Sequence, residues 1–566
     1  MNKFFMNKTF LLILLLASFS SSLYSQSANI PLNREYYHLI DRYEIQSGKF
    51  SQDFHSNVKP LQRHHVAGFI DSLYNDDYFL NQLSGRDKFN LQYLANDNWE
   101  WSQNDDNDSR KPFLKHIFKK KSDFLNVDEG DFDLHVNPVI YFSGGKESDS
   151  DVTTYINTRG IDVRGSISKR LGFYSFLSTT QAVYPNYVRE WTARNGVVPN
   201  EGFWKDFKEN GVDYFTASGY ISFELVKKYV NAQFGYDKSF IGSGHRSFIL
   251  SDFSPGYTFL RFNTKIWRIN YTNLFAQAIA DQAYNPTGSI ATKYPKKFMA
   301  SHHLSINITD NFNIGLFESV VIGDSTERFN VSYLNPIIFY RALEHQGGSS
   351  ENVIVGMDAK WNIGHSVSLY SQMVLDEFYL KEIKAGNGWW ANKFGGQLGL
   401  KYINIFGISN MDVQLEYNVA RPYMHAHKDT YTNYAHYRQP LGHTLGGNFH
   451  EVVGILRYQP INRLFITAQL NLADYGDDTE ETNWGKDVML SYNSREQEYD
   501  NKIGQGVATT LLYGDVTISY MWKHNLFFDL RGVLRDLNSE IDERDRKTTY
   551  FSGSMRWNIS KKMHDF

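Results

Sequence analysis

From about Phe132 to the C-terminus, apolar and polar residues alternate with a period of two, the pattern of strands with one apolar and one polar face. Met411, Val413, Leu415, Tyr417 and Val419 share one face, and Asp412, Gln414, Glu416 and Asn418 share the other. Phe215, Ala217, Gly219, Ile221, Phe223 and Leu225 likewise alternate with Tyr214, Thr216, Ser218, Tyr220, Ser222 and Glu224. The last strand is predicted to present Phe551, Gly553, Met555, Trp557 and Ile559 outward, opposite Ser552, Ser554, Arg556 and Asn558. A soluble propeller or sandwich carries polar outward positions. Whole apolar outward faces suit lipid outside and a wet lumen within.

The connections sharpen this reading. Tight turns are expected at Lys169-Arg170, Lys227-Lys228, Arg268-Ile269, Asp310-Asn311, Gly364-His365, Ser409-Asn410, Ile461-Asn462 and Lys523-His524. Longer, less patterned pieces fall near 144–150, 185–211, 241–255, 281–296, 324–352, 378–393, 421–449, 476–505 and 536–546. Short periplasmic turns alternating with long outer loops imply an all-β transmembrane barrel of about 18 antiparallel strands, with both barrel ends on the periplasmic side. The barrel is assigned to residues 126–566.

Residues 26–125 follow a helical period instead. Val66, Phe69, Ile70 and Leu73 form one helix face. Ser84 with Asp87 resembles a capping box opening a second helix through Phe89, Tyr93 and Leu94, and 96–109 reads as an acidic loop. A small α-helical domain is therefore expected at the periplasmic mouth. Ahead of it, residues 1–8 carry two lysines, and 10–19 form an apolar run too short to span a bilayer. Residues 1–25 are expected to be a signal peptide, cleaved after Ser25.

Composition agrees with a membrane barrel. Mean hydropathy is negative, yet aromatics make up 16% of the chain, as in barrels whose lipid face is alternate residues and whose Tyr, Trp and Phe gather in interfacial girdles. A net charge of −4 offers no basic field for nucleic acid. With no cysteine there is no lipid-modified thiol, disulfide or thiolate metal site.

Several blocks then resemble one family: Gly242-Ser-Gly-His-Arg-Ser-Phe-Ile-Leu-Ser-Asp252, Ala300-Ser-His-His-Leu-Ser-Ile-Asn307, Gly315-Leu-Phe-Glu-Ser-Val320, Tyr333-Leu-Asn-Pro-Ile-Ile-Phe-Tyr-Arg341, Gly388-Trp-Trp-Ala-Asn-Lys-Phe-Gly395, Arg421-Pro-Tyr-Met-His425 and Gln439-Pro-Leu-Gly442. In this order they look like the Wzi capsule-assembly family, and more narrowly its branch that includes the gliding-motility protein RemB. The resemblance runs from about residue 60 to the C-terminus. It implies an outer-membrane barrel with a periplasmic helical bundle, tied to surface polysaccharide or to motility and secretion proteins.

Candidate chemistry is sparse. Arg246, in a glycine-bearing connection, is suited to grip a carboxylate or acidic sugar, and the favoured reading folds its loop inward onto a lumen carboxylate. Arg341, Asp376 and Arg421 are grouped with it as polar plug or lumen residues. Glu318 shares the period of Ile314, Leu316, Val320 and Ile322, where a lipid-facing carboxylate is costly, so a bulge or a reversed strand is expected to turn it inward. The segment 333–343 is too apolar for a free loop and is expected in the barrel mouth or lumen. Asp376 and Glu377, as strand neighbours, point apart unless a bulge intervenes, which disfavours a glycosidase-like pair. No Gly-x-Ser-x-Gly elbow stands in a strand-to-helix context. The histidines 425, 427, 436, 443 and 450 lie in a stretch read as an exposed or mouth-covering aromatic loop rather than a metal site. No catalytic residue, metal or cofactor is assigned. Trp389, Trp390, Tyr423, Tyr431 and Tyr434 are the candidates for stacking on sugar rings.

Overall fold

The computed structural model describes residues 27–113, 115–148, 150–280, 294–323, 331–337, 339–342 and 351–566. The expected signal peptide lies outside the described residues. Eighteen long antiparallel strands close into a barrel. Each pairs with its neighbour in sequence, and the first, Phe132–Glu147, closes the ring against the last, Arg546–Trp557. The connections fall where the alternation breaks, except that the link expected long at 144–150 is a brief one between Glu147 and Thr153, and the tight turn expected at Ser409–Asn410 is a longer link between Tyr402 and Met411. At the two-residue link between Ile266 and Ile269, Trp267 takes the left-handed backbone (φ 52°) that tight hairpins need.

The two faces separate as the alternation predicts. Phe215, Leu415 and Phe551 stand exposed on the outside, while Asp412, Glu416 and Arg556 are buried within. Trp267, Phe406 and Trp522 project outward in or beside the short connections, the position an interfacial aromatic girdle takes in such barrels. Ile559 departs from the expected outward row. The last strand ends at Trp557, and the following residues turn back up the lumen, where Ile559 lines a cavity.

The N-terminal helices Arg34–Ser47, Arg63–Tyr74, Asp77–Gln82 and Gly85–Asp97 pack around Tyr43, Val66, Ile70, Leu91 and Leu94. The Ser84–Asp87 capping box is present, with Asp87 accepting the Ser84 N–H at 3.1 Å and Ser84 accepting that of Asp87 at 3.1 Å. The bundle closes the barrel end that carries the short turns, and its first helix reaches into the lumen, held by ions. Lys360, from the wall, donates to Asp41 at 3.0 Å and Glu44 at 2.9 Å, and Lys401 donates to Asp41 at 2.6 Å. Arg42 bridges Asp87 of its own domain and Asp412 of the wall. These charges have left water, so each depends on its partner.

Burial alone would raise the Asp41 carboxyl, but Lys360 and Lys401 outweigh it and hold it well below the usual carboxylate range. A depressed carboxyl contributes docking strength above about pH 4, its unfolded value, and loses it as acid protonates it in the fold. Asp41→Ala leaves Lys401 unpaired at a cost of about 3–5 kcal/mol. Trypsin should then cut within 34–97 sooner than in the wild type, while the barrel keeps its heat-modifiable gel mobility. Equal cleavage rates would show that these ions do not hold the plug.

Candidate functional site

Two outer connections descend into the lumen and meet above the helices. The first carries Phe248, Ile249 and Leu250, fully buried against Leu441, Leu445 and Phe449 of the second. Tyr434 ties them together by donating its hydroxyl to the Ile249 carbonyl at 2.6 Å. The descent needs glycine. A Cβ on Gly242 would lie 2.4 Å from the Gln372 side chain, and one on Gly244 would lie 2.6 Å from the Glu416 carboxylate.

That close approach explains the Gly-Ser-Gly-His-Arg block. The backbone N–H groups of His245 and Arg246 donate to Glu416 at 2.7 and 3.0 Å, so the nest of amides is occupied by the protein's own carboxylate. Arg246 itself donates to Glu451 at 2.9 Å and to Asp565 at 3.1 Å, and also to the Asp565 carbonyl at 2.7 Å. Asp565 belongs to the tail 558–566, which threads up the lumen until Phe566 packs on Tyr187, Trp191 and Phe253. Glu416 was legible as a lumen-facing strand residue. Asp565 was not, because nothing in the local pattern marks a tail that doubles back.

The outer cap is built from 386–392, 421–448 and 476–505. Trp390 N–H donates to the Glu498 carbonyl and Asn501 N–H to that of Gly388, both at 2.9 Å, so two loops pair backbone to backbone. The Asp478 carboxylate collects the N–H groups of Trp484, Gly485, Lys486 and Asp487 at 2.5 to 3.2 Å and so fixes the loop 476–505 from within. Trp390 stacks at a tilt on Tyr492 (4.8 Å between centroids) under the Arg495 guanidinium (4.3 Å).

The five aromatic candidates therefore separate. Tyr423 and Tyr434 are wholly buried and close to backbone carbonyls, and Trp390 is buried under Arg495, so none of the three presents a ring to an outside sugar. Trp389 and Tyr431 remain half-exposed. Tyr492 and Arg495, half-exposed beside Trp389 and Trp390, complete an aromatic and cationic surface that sequence reading passed over because they sit in a charged, turn-rich stretch.

Other expectations are corrected. Arg421 is a brace of the cap, donating to the carbonyls of Trp389 and Asn501. A bulge at Leu375–Glu377 does bring Asp376 and Glu377 to one side, but Lys393 lies between them, 3.1 and 3.4 Å away, and fills the space an acid/base pair needs. Glu318 is not turned inward: its strand keeps register and the carboxylate faces out of the barrel. It is buried because residues 333–337 and 339–342, expected in the barrel mouth or lumen, lie against the outer wall, where the N–H groups of Tyr340 and Arg341 donate to it at 2.9 and 3.0 Å. His425, His427, His436 and His443 are buried in the cap and mouth rather than exposed. His450 lies on the outward face, bonded to Tyr417. Among the described residues these form no metal-binding cluster.

No protein-family model and no curated protein sequence matches the chain. Among solved structures the fold is similar to that of Wzi, a carbohydrate-binding outer-membrane β-barrel involved in group 1 capsule assembly in Escherichia coli. The TM-score is 0.55 and the identity 13%, over 94% of this chain and 100% of that one. OprD of Pseudomonas aeruginosa matches at a TM-score of 0.42 and 10% identity, over 75% of this chain and 94% of that one. The protein is an outer-membrane β-barrel.

Burial pushes His425, His427 and His436 down to about 3 each, with Lys393 adding to the shift at the first two. Groups neutral in the fold that ionise when released contribute stability above about pH 6.5, and it is lost as pH falls toward 3, at most about 1.4 kcal/mol per pH unit for each histidine. Amide exchange in 421–448, corrected for intrinsic rates, should accelerate between pH 7 and pH 4 before the barrel strands respond. Protection that stays level across that range would contradict the assignment of neutral buried imidazoles.

Proposed function

We propose that this protein is a non-catalytic anchor for surface polysaccharide, working through its outer cap as a member of the Wzi group. The observation that carries the reading is the filled lumen. Helices from below, two loops from above and the returning tail occupy the interior, and the cap is left as the surface that meets the outside. There Trp389 and Tyr492 offer flat rings, the chemistry that takes the apolar face of a sugar, and Arg495, paired with Glu498 and stacked on Trp390, holds them in place. The full-length likeness to a carbohydrate-binding barrel supports the same reading. The block resemblance to the gliding-motility branch extends it to adhesive glycan used in surface movement, with motility or secretion proteins as partners.

A channel is the second reading, and one feature favours it. A cavity of about 350 Å³ runs between the plug and the wall, lined by Arg34, Arg164, Arg556, Asp162, Asp237 and Lys562. Both readings are tested together. Trp389→Ala with Tyr492→Ala should leave assembly intact and weaken glycan retention by roughly 1–3 kcal/mol, taking about 0.5–1.5 kcal/mol for each lost aromatic contact. Purified wild type should give no steady current in planar bilayers. Unchanged glycan retention in the double variant together with stable open-channel currents would replace the anchor with the channel.

A further inference from the structure

Across three adjacent strands, one row of the outward face is polar. Asn273 pairs with His302, and His302 pairs with Glu318, in unbroken register. Their orientation is fixed by their neighbours, since Leu274, His303 and Phe317, one position away in each strand, point into the lumen. The surrounding outward residues Phe275, Ala300, Val320, Ile322 and Val353 are apolar, as a lipid-facing wall requires, yet all are buried. Elsewhere on the same wall Leu316 is 53% exposed.

What covers them are the described residues 331–337 and 339–342, which lie in the sequence between the wall strands Phe312–Ile322 and Asn352–Ile363. Tyr333 and Tyr340 join the buried outer cluster, and the Tyr340 ring stacks on His302 at 4.1 Å. The polar row receives this segment. Glu318 accepts the N–H groups of Tyr340 and Arg341, the Tyr271 hydroxyl donates to the Pro336 carbonyl, and Tyr271 and Asn273 both bond the His302 ring, at 2.9 and 2.6 Å. On its other side the segment is apolar: Val331, Leu334, Ile337 and Phe339 project away from the barrel, with Ile337 85% and Phe339 77% exposed.

We propose that residues 331–337 and 339–342 form a strap immersed in the outer leaflet, lying down the outside of the barrel and presenting Val331, Leu334, Ile337 and Phe339 to acyl chains. Hydrocarbon accepts non-helical backbone only where the protein satisfies its N–H and C=O groups. Glu318 does this from beneath for the Tyr340 and Arg341 N–H groups and Tyr271 for the Pro336 carbonyl, with Asn273 and Tyr271 orienting the His302 ring under Tyr340, which gives an intramembrane carboxylate a structural task. Lipid is the occupant because the strap's apolar side is continuous with the exposed lipid face at Leu316, Val355 and Met357. This inference is independent of the glycan reading.

The absence of native cysteine makes single-site labelling clean. Spin labels at Ile337→Cys and Phe339→Cys would be compared with Leu316→Cys on the lipid wall and Asn493→Cys in an outer loop. The full mature chain would be used, both in vesicles of outer-membrane lipid and in native outer membranes. Oxygen accessibility should exceed nickel-chelate accessibility several-fold at 337 and 339, as at 316 and opposite to 493. Glu318→Leu should free the strap, raising label mobility and nickel access at 339 without loss of the folded barrel band, and Glu318→Gln, which keeps one acceptor, should change them less. Nickel access at 337 and 339 equal to that at 493 would overturn the strap. Labels shielded from oxygen in native membranes but not in vesicles would show a protein partner in place of lipid and overturn the assignment equally.

Discussion

A barrel of eighteen strands encloses more space than its own inward side chains can fill, and its inward face carries many buried charged and amide side chains. Whatever enters that space must satisfy the wall and be satisfied by it, because an unpaired buried ion costs several kcal/mol. The rest of the architecture follows from this demand. Arg42 meets Asp412, Lys360 meets Asp41 and Glu44, and Arg246 meets Glu451 and Asp565. In each case a wall charge finds its partner on an inserted element. The interior is thus a polar core assembled from four separate stretches of chain, with apolar clusters such as that around Phe248 set between the ionic layers.

This polar core decides what sequence reading could recover. Strand number and the division of each strand into an outward and an inward face were legible because the period of two depends only on local geometry and on lipid outside. The helix face Val66, Phe69, Ile70 and Leu73 was legible because it packs within its own domain. The helix Arg34–Ser47 gave a weaker signal: it buries Asp41, Arg42 and Glu44 as deeply as Ile40 and Tyr43, so polarity no longer marks its exposed side. The same inversion misdirects the reading of 421–448. A stretch dense in Tyr, His and Asn looks solvated, but here Tyr423 and Tyr434 are interior residues bonded to neighbouring loops, and His425 is buried beside Tyr434. The half-exposed Trp389 kept its candidacy, and its neighbours Tyr492 and Arg495 were reachable only once the loop pairing was known.

Glu318 shows the rule operating on the opposite face. A carboxylate in register with Ile314, Leu316, Val320 and Ile322 contradicts a simple lipid wall, and the contradiction was visible in the sequence. Its resolution was not, because the covering segment comes from the following connection and meets the wall only in three dimensions. The expected remedy was to turn the residue inward. The fold instead brings backbone donors to it from outside, so lumen and lipid face obey one requirement by different means.

That requirement also bears on the proposed binding of polysaccharide by the cap. Loops that merely closed the barrel mouth would be free to fluctuate, and ordering them around a sugar would consume much of the interaction energy. Here the cap is anchored downward through Tyr434 and Ile249 and sideways through the paired backbones at 388–390 and 498–501, and Asp478 gathers four amides into one loop conformation. The Trp389–Trp390–Tyr492 cluster is therefore held in place before any ligand arrives. A preorganised face of this kind suits a repetitive polymer: each weak contact is made at little entropic cost, and several along one chain add by local concentration rather than by new chemistry.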